Sequence, residues 1–191
     1  MIYSDFIYGR FIDNTLCDEL ILFYENNEFK EPGKLGGGNI DKDKKDSMDV
    51  GVNPNYNSFV IQRYMNQLND VCREYINKYE YSSKDHSAWG IVENFNIQKY
   101  LPNQGFKIWH YERTGPTGST KSVKRHLVFM TYLNNIDDGG ETEWYYQNLK
   151  IKPRKGLTVI WPADWTFTHR GLTSFTETKY IATGWYSFLG D

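Results

Sequence analysis

Cysteine is scarce in this chain, with only Cys17 and Cys72 among 191 residues. Both fall on or near the apolar faces of predicted helices, so buried free thiols are expected, and a disulfide-stapled scaffold is excluded. Long apolar runs are missing as well, and no stretch approaches the length of a transmembrane helix. The first residues, Met1 to Asp5, lack a basic start followed by an apolar run, so no signal peptide is expected. Neither sign of charge is in excess: 22 Lys and Arg stand against 24 Asp and Glu, a formal charge of -2. That balance speaks against a nucleic-acid partner and against an acidic membrane surface. Together these absences predict a soluble, cytoplasmic or otherwise intracellular protein. Histidine is short too, at four residues, so any imidazole-based site draws on His86, His110, His126 and His169.

Aromatic residues are plentiful, 17% of the chain with 15 Tyr, 11 Phe and 6 Trp. Such rings favour strands, where they pack across a pleated face. A first edge strand is expected within residues 2–12. A helix follows from a cap near Asn14 to about Asn27, with Leu16, Leu20, Phe23 and Tyr24 on one face. Residues 31–57 lose all periodicity. The run Gly36-Gly37-Gly38, the charged stretch 41–46 and Pro54 predict a long loop there, either a plain surface connection or a lid. A second helix, about Ser58 to Glu80, carries the stripe Tyr64, Leu68, Val71, Cys72, Tyr75 and Tyr79. Beyond Ser83 the period changes to two. Candidate strands are 91–100, 105–112, 123–134, 141–146, 148–152, 156–161 and 176–188. The expected fold is mainly β with flanking helices on one outer face, its strand edges protected by closure or by a second sheet. Length suits one domain over 1–191, with helical support and the lid loop in 1–90 and the β core in 91–188.

Within 105–112 stands Trp109-His110-Tyr111-Glu112. On a strand His110 and Glu112 point the same way, roughly 7 Å apart along the backbone. They form either a solvated or core-edge pair or two thirds of a metal site of two histidines and one carboxylate. His169, after the apolar strand and the aromatic segment Trp165-Thr166-Phe167, is a possible third ligand. His86 reads as solvated, and His126 as a hydrogen-bonded core histidine sharing a face with Val128, Met130 and Tyr132. Lys179 shares a strand face with Ile181, Thr183 and Trp185. It either meets an anion there or snorkels to water from the strand end.

The order His110-x-Glu112, Tyr132-Leu133-Asn134, Gly139-Gly140-Glu141-Thr142, Pro153-x-x-Gly156, His169, Lys179-Tyr180 and Trp185 resembles the iron(II)- and 2-oxoglutarate-dependent dioxygenases, prolyl 4-hydroxylase branch. The resemblance covers residues 93–188. It implies a double-stranded β-helix, the cupin-like jelly roll. It implies Fe(II) on His110, Glu112 and His169, with Lys179 pairing with the distal carboxylate of 2-oxoglutarate. Tyr100, Tyr132 and Thr142 would offer hydroxyls to that co-substrate or pack along it, and Trp185 would close the pocket beside it. Arg125 matches a basic residue read as structural. The chain departs from the family at Glu112, where most relatives place aspartate.

The activity implied is a dioxygenase consuming dioxygen and 2-oxoglutarate, releasing succinate and CO2, with ascorbate admitted as reductant. A peptidyl residue such as proline is the favoured substrate, with the 31–57 loop and the Arg113–Lys124 insertion folding over it. The alternatives are hydroxylation of a free amino acid or other small molecule, for which Arg113, Lys121 and Lys124 would suit an acidic substrate, or a non-catalytic metal-binding jelly roll. The sequence leaves the oligomeric state open.

Overall fold

A computed structural model describes residues 2–36, 38–114 and 121–190. Gly37 of the expected loop and 115–120 of the Arg113–Lys124 insertion lie outside the described residues. The chain opens with β1 (Ile2–Ser4), β2 (Ile7–Phe11) and helix α1 (Asn14–Glu25), followed by β3 (Glu31–Pro32), β4 (Met48–Val52) and helix α2 (Phe59–Lys78). The strands β5 (Trp89–Gly90), β6 (Phe95–Tyr100), β7 (Arg125–Tyr132), β8 (Thr142–Trp144), β9 (Leu149–Ile151), β10 (Leu157–Pro162), β11 (His169–Gly171) and β12 (Lys179–Phe188) complete it. The larger antiparallel sheet runs β1-β2-β10-β7-β12-β6-β4-β3, with β5 joined to the far end of β12; the smaller runs β11-β8-β9.

Alternation along β7 and β12 divides the interior in two. Leu127, Phe129, Ala182 and Tyr186 face α1 and α2, while Val128, Met130, Tyr132 and Ile181 face Trp144 and Ile151 of the smaller sheet. The second layer is the inside of a jelly roll. On α1 the buried residues are Leu16, Cys17, Leu20 and Tyr24; on α2 they are Ile61, Tyr64, Leu68, Val71, Cys72 and Tyr75. Each large apolar side chain buried this way contributes about 2 kcal/mol, against about 1 kcal/mol for a helix cap, so packing on the sheet holds these helices. Tyr64 also reaches across the layer to Thr131 Oγ1 at 2.9 Å, which pairs with Thr158 Oγ1 at 2.8 Å. Gly184 is required in the middle of β12: a Cβ there would lie 2.6 Å from the Phe129 ring and 2.7 Å from Phe95. Among the described residues no helix is long and apolar enough to cross a membrane.

Several expectations need correction. Residues 2–12 form two strands, and β2 is internal, paired with β1 and β10. The first helix is capped by Asp13, whose carboxylate accepts from Thr15 N at 2.8 Å, rather than by Asn14. The expected loop 31–57 contains β3 and β4, and β4 pairs along β6 with Val50 and Val52 buried. Residues 105–112 are not a regular strand; their strand-like pairing is limited to isolated bridges, Phe106 to Lys45 and His110 to His169. His126 does not share the face of Val128. Ser187 pairs with Arg125 and Tyr186 with Leu127, which leaves His126 as the extra residue of a bulge. Its ring turns to Trp89 and Phe188, with Nε2 bonded to Ser82 O at 2.7 Å. His86 is exposed, as expected.

Candidate metal centre

The bridge between His110 and His169 builds the site. The two residues exchange both backbone hydrogen bonds, His110 N to His169 O and His169 N to His110 O, each 2.9 Å. Residues so paired put their side chains on the same side of the ladder, and the ring centroids lie 4.3 Å apart. Two residues on, Glu112 N donates to Ala163 O at 3.2 Å, which brings the carboxylate round beside both rings. Ligand atoms of His110, Glu112 and His169 all lie within 4.8 Å of one another. Glu112 Oε1 stands 3.5 Å from His110 Nε2 and 3.6 Å from His169 Nε2.

Both imidazoles are oriented by their other nitrogen. His110 Nδ1 meets Ile108 O at 3.0 Å, and His169 Nδ1 meets Phe167 O at 2.9 Å. A carbonyl only accepts, so each Nδ1 carries the proton and each Nε2 offers a lone pair to the centre. Phe106 stacks on His110 at 3.6 Å between ring centroids, and Trp161 meets the edge of His169 at 5.2 Å. Burial, with the neighbouring His110 adding to it, pushes His169 down to about 3, so it stays neutral as a ligand must. Burial alone would raise the Glu112 carboxyl, yet it is held well below the usual carboxylate range, with the Arg125 guanidinium among the groups that favour its charged form. Two imidazoles and one carboxylate on one face are the donor set of a non-haem Fe(II) site.

Glu112 Oε2 points away from the imidazoles. It accepts from Trp185 Nε1 at 2.9 Å and from Arg125 Nη1 at 3.3 Å. Trp185 therefore stands at the metal end of the interior rather than only beside the co-substrate. Arg125, read as structural, reaches the triad directly. Its carboxylate partner Glu93 was missed, as was Phe106; neither carries a motif, since Glu93 lies in a polar turn and Phe106 in an irregular segment.

Lys179 sits further along the same interior. Its side chain is 4% exposed, and Nζ donates to Gly140 O at 3.0 Å and Leu172 O at 3.4 Å, with the Tyr100 ring 5.1 Å away. Among the described residues no carboxylate lies within ion-pair distance. Burial pushes the ammonium down to about 8, Glu141 acting weakly the other way. On β11, His169 and Gly171 share a face, and a Cβ at Gly171 would stand 3.8 Å from Lys179 Nζ. Triad and ammonium thus address one space. Tyr100 OH donates to Gln98 Oε1 at 2.7 Å, and Tyr132 OH to Thr142 Oγ1 at 2.6 Å. All three of these predicted residues are buried in this layer, with their hydroxyls bonded to one another or to Gln98.

Residues 95–187 match the family model described as the 2OG-Fe(II) oxygenase superfamily. Its proteins work with Fe(II), 2-oxoglutarate and dioxygen. In sequence the chain is similar to a protein of Arabidopsis thaliana named "Probable prolyl 4-hydroxylase 9". The two are 29% identical over 116 residues, a match covering 49% of this chain and 40% of that protein. The chain therefore spans less than half the length of that relative. In fold it is similar to the viral collagen prolyl hydroxylase of Paramecium bursaria Chlorella virus-1, solved as a 2OG complex. There the TM-score is 0.70 and the identity 19%, covering 97% of each chain. A Trichoplax adhaerens prolyl hydroxylase, solved with a hypoxia inducible factor peptide fragment, gives a TM-score of 0.74 at 16% identity, covering 96% of this chain and 84% of that one. These two likenesses establish the double-stranded β-helix fold.

Proposed function

We propose that the protein is an Fe(II)- and 2-oxoglutarate-dependent dioxygenase that hydroxylates a peptidyl residue such as proline, with release of succinate and CO2. His110 and His169 would hold the metal through Nε2 and Glu112 through Oε1. Lys179 would pair with the distal carboxylate of 2-oxoglutarate, and ascorbate would serve as the external reductant. The reading is best supported by the pairing of a ready donor set with a buried ammonium that has no carboxylate within ion-pair distance among the described residues. A charge left this way is costly unless a ligand completes it.

When bound, Fe(II) supplies the oxidative decarboxylation of 2-oxoglutarate by dioxygen that is coupled to substrate hydroxylation. The chain's own part is orientation and exclusion. The carbonyls of Ile108 and Phe167 keep the imidazoles in the ligating tautomer. Trp144, Trp161 and Phe167, all buried against this layer, keep water from the His169 side. Lys179 fixes one end of a dicarboxylate, so its other end is delivered in a single orientation.

A peptide is favoured over an acidic small molecule because the cations expected at the mouth are engaged. Arg113 pairs with Asp164 at 3.2 Å and donates to Arg125 O at 2.5 Å, while Lys124 donates to the Gly190 carbonyl. Beside the site runs a row of rings: Trp109 to Tyr145 at 5.1 Å, Tyr145 to Tyr146 at 5.1 Å, and Tyr146 to Trp165 at 5.8 Å. Tyr145, Tyr146 and Trp165 are exposed, and aromatic faces of this kind suit the rings of an extended, proline-containing segment. Anaerobic titration with Fe(II) and then 2-oxoglutarate is expected to produce the visible charge-transfer absorption of a metal-bound 2-oxo acid. Peptide turnover should add one oxygen atom by mass and yield succinate. A folded, iron-loaded protein with no such absorption would contradict the reading, and turnover of free amino acids alone would contradict its substrate class.

A further inference from the structure

A carboxylate that serves a metal through one oxygen needs its other oxygen held, because outer-shell partners set the orientation of a ligand. Glutamate has one more rotatable bond than aspartate, so more freedom must be removed to hold it. Here Glu112 Oε2 is held by two donors, Trp185 Nε1 and Arg125 Nη1. The Arg125 guanidinium lies over the Trp185 indole, its Cζ 3.5 Å from the ring centroid, so the two donors brace each other.

The opposite side of the guanidinium is taken by Glu93. Arg125 Nε donates to Glu93 Oε1 at 3.2 Å and Nη2 to Glu93 Oε2 at 3.0 Å, a two-point fork. Ser187 Oγ adds a third contact to Glu93 Oε1 at 3.2 Å. The three charged side chains are all largely buried, between 14% and 17% exposed, so their charges are only weakly screened.

We propose that Glu93 is a positioning residue for the metal centre, resting on the reading of His110, Glu112 and His169 as the Fe(II) site. By taking the fork of Arg125, Glu93 limits Arg125 to a single nitrogen on Glu112. By balancing the guanidinium, it leaves the charge of Glu112 for the metal. Without Glu93, Arg125 would turn its fork onto Glu112 and compete with the ion for Oε1.

The test is anaerobic titration of the full chain with Fe(II), and with Co(II) as a spectroscopic probe, for wild type, Glu93→Gln, Arg125→Gln and the double variant. Glu93→Gln is expected to weaken metal binding roughly 10- to 100-fold and to alter the Co(II) ligand-field bands. Because Glu93 acts through Arg125, the double variant should bind no more weakly than Arg125→Gln alone. Wild-type affinity and spectrum in Glu93→Gln, or losses that multiply in the double variant, would overturn the proposal. If Glu93→Gln does not fold, Glu93→Asp replaces it, since the shorter stem breaks the fork and should cost several-fold, whereas unchanged affinity would overturn the idea. A wild-type chain that binds neither metal overturns the site reading itself, which separates that failure from this one.

Discussion

At the His110–Glu112–His169 end of the interior, every atom that would not face a metal already has a hydrogen-bond partner. Nδ1 of each imidazole meets a carbonyl, and Glu112 Oε2 meets two donors. At the other end Lys179 has carbonyl oxygens and an aromatic ring around its ammonium, and no carboxylate within ion-pair distance among the described residues. The first end is a donor set already assembled; the second is a buried charge that, on the proposed reading, the carboxylate of a ligand would complete. The contrast follows from what each end takes. An ion imposes geometry and needs donors in place, whereas a flexible dicarboxylate can adjust to a single fixed charge. Local structure matches the difference, since the triad hangs on one bridge and an irregular segment, while Lys179 begins the longest strand, β12.

The contrast can be broken from either side. The largest effect is expected from His169→Ala, which removes a donor outright. Loss of an outer-shell partner costs about 10- to 100-fold in metal affinity, so loss of the ligand itself should exceed about 100-fold. Calorimetric titration with Fe(II) checks this, and a loss below tenfold would mean that His169 is not a ligand. A smaller effect should come from pH. Burial pushes the Lys179 ammonium down to about 8, and only its charged form attracts a carboxylate. Tyr100 beneath it is raised well above the usual phenol value by burial and stays neutral in this window. Affinity for 2-oxoglutarate should therefore level off only below about pH 7, decline through pH 8 and fall by up to about tenfold per unit above it. Affinity that is unchanged from pH 7 to 9 would show that a different group holds the distal carboxylate.

Most of the candidate site was legible in the sequence because its chemistry lies in residue types that are out of place. A lysine beside Ile181 and Trp185 on a strand, and a histidine two residues from a glutamate, are visible without any structure. The helix packing was legible for a similar reason, through the α2 stripe from Tyr64 to Tyr75. Strand β4 was hidden because Met48–Val52 is short, half-exposed and preceded by a charged, glycine-rich run, and its pairing with β6 is set by tertiary contact. The reverse error arose at 105–112. Its aromatic and β-branched residues suggest a strand, yet they serve as side walls, with Phe106 on His110 and Trp109 against Tyr145. Glu93 was invisible because its role depends on Arg125, 32 residues away in sequence.

The central claim is that one interior holds two separable ends, a metal cradle and a charge anchor. Anaerobic titration of Lys179→Met with Fe(II) and then 2-oxoglutarate tests it most directly. Removing one partner of a buried charge pair costs about 2 to 5 kcal/mol, so 2-oxoglutarate binding should weaken by roughly 30-fold or more while iron affinity stays at the wild-type value. Equal loss of both, or undiminished 2-oxoglutarate binding, would contradict the account.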